Sequence, residues 1–123
     1  MTEPAIWVEL VGDVIVARLR GQPNEAILRK VQEEVLKIAA DTGRWRVLLD
    51  VLEMKAPPVE LTSVQRKLDE DRRALGLRRA IVVPDSRLAY LARLAFGEGD
   101  YRVFYNDMVG AVKWLGKERA ASQ

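Results

Sequence analysis

The sequence predicts a single α/β domain with the order ββαβαβαβα, built on a mostly parallel five-stranded sheet with an antiparallel first strand. Three observations predict this fold class. Short apolar strands alternate with amphipathic helices across short connections, which favours right-handed crossovers between parallel neighbours. Gly12 and Asp13 between two apolar runs are typical of a two-residue hairpin turn. The 123 residues fit one domain, spanning 1–123 with a core over about 6–115.

The hairpin joins strands over 6–11 and 14–19. The second strand alternates apolar residues with a set that includes two arginines, so one face is expected to be buried and the strand to lie near a sheet edge. Asn24 is placed to cap the first helix, whose apolar residues share one helical face, and Gly43 ends it. The apolar positions are Ile15, Ala17 and Leu19 on the strand, and Ile27, Val31, Val35 and Ile38 on the helix.

The third strand, 45–51, is expected to stop at Asp50, a position where many α/β domains place a site. The loop that follows reads LEMKA and leads into Pro57 and Pro58, without Ser, Thr, His or Cys. A second amphipathic helix is then predicted to continue until Gly76. Its apolar stripe comprises Leu61, Val64, Leu68 and Leu75.

The fourth strand, 80–83, is apolar on both alternating faces, which is typical of an internal strand of a parallel sheet. Pro84 ends it, and Asp85 or Ser86 can cap the third helix. A turn over 97–99, Gly-Glu-Gly, leads to a last strand. That strand covers 101–105, and Asn106 or Asp107 can cap a final helix containing Met108, Val109, Val112 and Leu115.

The composition excludes several classes of function. Lys+Arg 20 against Asp+Glu 18, with the signs interspersed, argues against a nucleic-acid partner. Cysteine and histidine are absent, which removes disulfides, thiolate nucleophiles, sulfur-based metal sites and imidazole chemistry. No spacing of Asp and Glu suggests a paired-carboxylate site. We therefore expect no catalytic residues, no cofactor and no metal, and the chain is predicted not to be an enzyme.

The amino terminus lacks a basic region followed by a long apolar core, and no apolar run approaches the roughly 18 residues of a membrane span. The chain is expected to be cytoplasmic, with peripheral association at a membrane surface as an extension of that prediction.

Gly21 after the second strand, Asp50 at the third, and the closing segment RVFYNDMVGAVKWL together resemble the SpoIIAA-like family, relatives of the STAS domain of anti-sigma factor antagonists and sulfate transporters. The resemblance covers about 6–115. Its most specific part is the ending, where Val103 and Phe104 precede a helix of the family's "A..WL" type. The resemblance implies helices mainly on one side of the sheet and binding or regulatory roles without catalysis, and some relatives are grouped with lipid-binding Sec14-type domains.

One departure from the family is informative. In phospho-regulated STAS domains the loop after the third strand carries an Asp-Ser pair, whereas residues 55–59 here read Lys-Ala-Pro-Pro-Val. Thr62 and Ser63 lie several residues later. A register shift large enough to make either one the phosphate acceptor would break the apolar stripe of the second helix. No phosphorylation site is therefore expected.

Asp50 is the first candidate site residue, because a carboxylate on a buried strand must be hydrogen-bonded, ionised near a donor or shifted in pKa. It either contacts a ligand at the carboxyl edge of the sheet, or has a structural role in which it accepts amide hydrogens of its own loop or caps the next helix. The structural interpretation is favoured. Met54 of the same loop is included with it. The predicted helix starts could bind an anion, but capping alone explains their residues, which are Asn24, Asp85, Ser86 and Asn106.

The third helix, RLAYLARLAF, carries polar residues only at Arg87 and Arg93 over 87–96. A helix apolar nearly all round is either buried on several sides or meets a partner. Four residues form a natural core stripe. Four others must be covered by neighbouring helices or contact a second copy of the chain, an apolar ligand or a membrane. The core stripe is Leu88, Leu91, Ala92 and Ala95; the others are Ala89, Tyr90, Leu94 and Phe96. Ser86, Tyr90, Leu94 and Phe96 complete the candidate ligand or partner site with Asp50 and Met54.

Trp7, Trp45 and Trp114 are interpreted as core or rim packing residues, and Arg78 and Arg79 as a solvated pair.

The first functional hypothesis is a non-catalytic STAS-like module that binds an apolar, lipid-like small molecule, a second copy of itself or the membrane surface. The alternative is a protein signalling module, like the anti-sigma factor antagonists, acting through the Asp50 loop and the second helix. A small enzyme at the carboxyl edge of the sheet is a third.

Overall fold

A computed structural model describes residues 4–97 and 99–118. The described strands and helices follow the predicted order. The strands are β1 (Ala5–Val11), β2 (Val14–Gly21), β3 (Arg46–Met54), β4 (Arg78–Val83) and β5 (Tyr101–Tyr105). The helices are α1 (Glu25–Thr42), α2 (Glu60–Leu68), α3 (Ser86–Phe96) and α4 (Met108–Gly116), with a 3₁₀ turn at Arg72–Ala74 after α2. Of the predicted 97–99 turn, Glu98 lies outside the described residues.

The sheet confirms the predicted fold class. Its strand order is β1-β2-β3-β4-β5, with β1 antiparallel to β2 and every other pair parallel. Gly12 supports the hairpin turn with φ of 63°, a conformation that side chains disfavour. As predicted, β2 lies next to the edge strand and buries Ile15, Ala17 and Leu19.

The helices divide unequally between the two faces of the sheet. On one face, here called the helical face, the buried side chains of the sheet pack with those of α1 and α3. On the other, here called the α4 face, Leu48 and Val82 pack with Ala111 and Leu115 of α4. This agrees with the expectation of helices mainly on one side.

Side chains cap three of the helices where the sequence places them. Asn24 Oδ1 accepts the Ile27 N–H at 2.9 Å, and Gly43 ends α1 with φ of 73°. Between the two alternatives for α3, Asp85 is the cap. Asp107 caps α4 in the same way. These caps satisfy amides that the first turn of a helix leaves without partners.

The expectation that β3 stops at Asp50 is wrong. The strand continues to Met54, which pairs with Gly21 across a shift in the β2–β3 register. The carboxylate does not terminate the strand because Arg18 and the Leu52 N–H supply it with hydrogen bonds inside the sheet.

The predicted length of the second helix is also wrong. It ends at Leu68 instead of Gly76, and Leu75 is 73% exposed instead of continuing the apolar stripe. The chain turns at that point because Asp69 pairs with Arg79 of β4 and Asp71 accepts the Arg73 N–H of the 3₁₀ turn. Two polar interactions therefore override the helical periodicity.

Two surface assignments need correction. Trp7 is 55% exposed, because α4 covers β3, β4 and β5 and leaves that part of β1 open. Arg78 and Arg79 are buried instead of solvated. Their side chains point to opposite faces, and each lies on an aromatic ring, Trp114 at 4.0 Å and Phe96 at 4.7 Å.

Within residues 4–97 and 99–118, no helix has both the length and the apolar composition that crossing a bilayer demands.

Candidate functional site: a cavity beneath α2

A partly open apolar cavity of about 110 Å³ lies on the helical face of the sheet, lined by residues of α1, α2 and α3. Its floor is formed by β3 and β4, and its walls by the inward sides of the three helices. Among the lining residues are Val47, Leu49, Val51 and Ile81 of the sheet, Leu61 of α2, and Leu91, Ala92 and Ala95 of α3.

The local sequence explains why a space remains there. The side of α3 that faces the cavity includes Ala92 and Ala95, whose methyl groups are too short to reach across to α2. Helix α2 contains no fully buried residue, and Leu61 is only half-buried. Pro57 is buried at the start of this segment and fixes the path by which the chain enters α2. The helix therefore covers the cavity without filling it.

Two of the polar side chains that line the cavity, Gln32 and Thr62, are hydrogen-bonded to the backbone. Gln32 Nε2 donates to the Leu68 carbonyl at 3.1 Å, and Thr62 Oγ1 donates to the Val59 carbonyl at 2.6 Å. These bonds join α1 to the end of α2 and close the first turn of α2. Neither group is arranged as a nucleophile or a general base.

Arg79 brings a positive charge into the cavity lining. It is 4% exposed, its two terminal nitrogens both donate to the Asp69 carboxylate, and its guanidinium lies over the Phe96 ring. Its Nε–H is buried and has no acceptor within the described part of the chain. A buried donor without an acceptor is costly, and among the described residues the Nε–H of Arg78, on the α4 face, is also without one.

The predicted site residues are split between this cavity and other surfaces. Met54 and Phe96 line the cavity. Tyr90 is 57% exposed, Ser86 is exposed next to the cap of α3, and Leu94 is half-buried outside the lining. The structure thus brings two of the predicted residues together and separates the others.

Asp50 lies on the opposite face of the sheet. Arg18 Nε donates to Asp50 Oδ2 at 3.1 Å, and the Leu52 N–H donates to Oδ1 at 3.1 Å. The Arg18 guanidinium in turn lies 5.6 Å from the centre of the Trp7 ring. Asp50 accepts an amide hydrogen of its own segment, as the favoured interpretation predicted. It does so from the middle of β3, whereas the prediction placed it at the carboxyl edge of the sheet.

Sequence reasoning missed Arg79 and Gln32. The alternation of β4 places Arg79 on the same face as Ile81, and a helical spacing places Gln32 beside Val35 and Leu36. These periodicities were available in the sequence. What they do not reveal is that Asp69 and Leu68 lie opposite these two side chains, because those contacts depend on where α2 ends.

The hydroxyls nearest to the start of α2 are engaged within the helix. Ser63 Oγ donates to the Glu60 carbonyl at 2.8 Å, as Thr62 does to Val59. Such backbone bonds are the ordinary local alternative for Ser and Thr in a first turn. Among the described residues, no group of three or more His, Cys, Asp and Glu side chains is placed to hold a metal ion.

No protein-family model and no curated protein matches the sequence. Solved structures do match. An anti-sigma factor antagonist from Mycobacterium paratuberculosis superposes with a TM-score of 0.68 at 11% identity, over 94% of this chain and 96% of that one. The unphosphorylated anti-sigma factor antagonist SpoIIAA gives 0.64 at 12%, over 90% and 97%. An uncharacterized protein from Shewanella loihica with a SpoIIAA-like fold gives 0.63 at 22%, over 94% and 98%. The chain therefore has the SpoIIAA/STAS-like fold.

Proposed function

Given the SpoIIAA/STAS-like fold, we propose that this chain is a non-catalytic regulatory domain that binds an apolar small molecule between the sheet and α2. The cavity on the helical face is the observation that carries the proposal. Its position puts the ligand in contact with three helices at once, so binding can change how α2 sits on the sheet.

The size and chemistry of the cavity support an apolar occupant. A volume of about 110 Å³ is of the order of an engineered apolar cavity in another protein, of about 150 Å³, that stays dry and binds benzene. Because α2 has no fully buried residue, moving it outward exposes little core surface, and a longer apolar chain can be accommodated. The ligand class is therefore a small apolar molecule or one aliphatic chain.

A protein partner of such a domain would contact the outer side of α2. That side presents Arg66 and Lys67 to solvent. A ligand that binds better when α2 is displaced shifts the population toward the displaced state, and a partner that contacts α2 responds. A chemical input of this kind does not need a phosphorylated serine, which residues 55–59 do not offer.

A protein signalling role without a ligand is the second candidate, favoured by the likeness to anti-sigma factor antagonists. The surface proposed for it must be revised, because Asp50 lies on the α4 face while α2 lies on the helical face. A partner of α2 would therefore not contact Asp50. We also propose that the protein is cytoplasmic and attaches to a membrane surface.

Filling the cavity tests the function. Ala92→Leu adds three carbons to a half-buried residue of the lining, and we expect it to weaken the binding of 1-octanol by about tenfold or more, since the added atoms occupy the ligand's space. Isothermal titration calorimetry measures the affinity. Ala26→Leu, the same change at an exposed position of α1, is the matched control and should bind as the unmodified protein does.

A screen of apolar compounds, with native mass spectrometry of the purified protein and co-sedimentation with vesicles, separates the alternatives. If none of the compounds binds and the protein carries none from its source, the proposal is wrong. Vesicle binding that Ala92→Leu leaves unchanged would instead indicate a membrane-surface role independent of the cavity.

A further inference from the structure

The cavity has one charged end and one apolar end. Arg79 lies at the second residue of β4 and pairs in register with Val47, whereas Met54 lies at the last residue of β3. Val47 and Met54 are seven residues apart, which corresponds to about 20 Å along a strand. Because Arg79, Val47 and Met54 all line the same cavity, it extends along the strand direction.

Arg79 is the charged residue of the described lining, and its guanidinium is held in a fixed position. The Phe96 ring lies 4.7 Å from its central carbon, and Asp69 accepts from both terminal nitrogens. At Gly99, a Cβ atom would come within 2.8 Å of Nη2, so a side chain there would displace the guanidinium. The arginine is therefore prepositioned at the end of the cavity, and its buried Nε–H still lacks an acceptor among the described residues.

From this arrangement we infer that the ligand is a single-chain carboxylic acid, with its carboxylate at Arg79 and its chain along the cavity toward Met54. The inference rests on the proposed function and adds the class of ligand. A carboxylate oxygen can accept the Nε–H, and guanidinium groups match carboxylates in shape and charge. A buried arginine also disfavours a purely apolar ligand, which would leave that donor without an acceptor.

Asp69 sets the strength of this interaction. It already neutralises Arg79, and its side chain is 13% exposed on the segment that follows α2. A ligand carboxylate beside Asp69 experiences a like charge, so Asp69 opposes the acid and has little effect on a neutral alcohol of the same length. Removing the Asp69 charge should therefore raise the preference for an acid.

The test compares octanoate, 1-octanol and acetate at pH 7.5 by calorimetry. The unmodified protein should bind octanoate and should not bind acetate measurably, because acetate lacks the chain. The preference for octanoate over 1-octanol should be larger once the Asp69 charge is removed. Asp69→Asn should tighten octanoate binding by about tenfold, the size of one partly screened charge interaction, and should change 1-octanol binding by less than about twofold. Asp41→Asn removes an exposed acid from α1 and controls for net charge.

Each outcome decides a different point. If octanoate and 1-octanol bind equally in both the unmodified protein and Asp69→Asn, the carboxylate inference is wrong while the apolar site stands. Acetate binding as tightly as octanoate also overturns it. If neither eight-carbon compound binds, the proposed function itself fails.

A second measurement keeps the test decisive if Asp69→Asn does not fold. In the unmodified protein, the nuclear magnetic resonance signal of the Arg79 Nε–H should shift more on addition of octanoate than on addition of 1-octanol, because a carboxylate is a stronger acceptor than a hydroxyl. An unchanged signal at saturating octanoate would overturn the inference.

Discussion

Two residues, Asp50 and Arg79, carry charge into opposite faces of the same sheet, and their surroundings give them different roles. Asp50 is paired with Arg18 and accepts the Leu52 amide, so its hydrogen-bonding requirement is met by the protein. Arg79 is paired with Asp69 but retains a buried Nε–H with no acceptor in the described chain. The first residue is therefore a structural element of the sheet, and the second is a candidate to bind a ligand.

Asp50→Asn is expected to lower the free energy of unfolding by about 1–3 kcal/mol, because a buried charge-assisted hydrogen bond is weakened. Urea denaturation measures this change. Glu53→Gln breaks an ion pair with Arg20 in which both side chains are 59% exposed, and should cost no more than about 1 kcal/mol. Equal losses in the two variants would contradict the structural role, and octanol binding should be unchanged in both.

At the level of elements, the segment after α2 shows how polar contacts shape the chain. The side-chain hydrogen bond from Arg73, together with the Arg73 backbone N–H, holds the pKa of the Asp71 carboxyl below its ordinary value. Asp71 thereby caps the 3₁₀ turn, at which the chain leaves the path of α2. The apolar stripe predicted through Leu75 fails here because these local bonds are satisfied only if α2 has already ended.

The Asp71 interaction predicts a pH dependence with a definite sign. Since its folded pKa is lowered, the stabilisation is present above the unfolded pKa and is lost as pH falls through the lower folded value, in the range below about pH 4. Carboxyl chemical shifts followed by nuclear magnetic resonance should show Asp71 titrating below an unfolded Asp. Arg73→Gln should move that titration upward, and an unmoved midpoint would contradict the assignment.

The third helix is apolar at nearly every position, and the structure divides these residues into buried, cavity-lining and exposed ones. Leu88, Ala89, Leu91 and Ala95 are buried, which confirms most of the predicted core stripe and assigns Ala89 to it. Phe96 lies at the cavity, while Tyr90 remains exposed. The helical period identifies which residues share a side, but the identity of the neighbour depends on the placement of α2.

At the level of the whole molecule, the sheet separates two apolar cores. Leu36 of α1 is 2% exposed on the helical face, and Leu115 of α4 is fully buried on the other. Both cores contain side chains of β2, β3, β4 and β5, so each depends on the pairing of the same four strands. The molecule should therefore unfold in one cooperative transition.

Leu36→Ala and Leu115→Ala are each expected to reduce the free energy of unfolding by about 2–5 kcal/mol, from lost burial and an added cavity. The double variant should show the sum within about 0.5 kcal/mol, since the sites lie on opposite faces. Chemical denaturation followed by circular dichroism and tryptophan fluorescence checks both points. Val109→Ala, at a 67% exposed residue, is the control and should change little. Two separate transitions would contradict a shared sheet.

The sequence by itself determined the order of elements, the hairpin, three of the helix caps and the SpoIIAA/STAS-like architecture. The order of elements, the hairpin and the caps depend on local rules, namely the periods of strand and helix, the φ of glycine and the hydrogen bonds of a first turn. The SpoIIAA/STAS-like architecture was inferred from the resemblance of the sequence to that family. The tertiary structure alone decided that Asp50 and α2 face opposite ways, that α2 leaves a cavity and that Arg79 ends it. Those features arise from contacts between residues far apart in the chain, whose geometry no local period encodes.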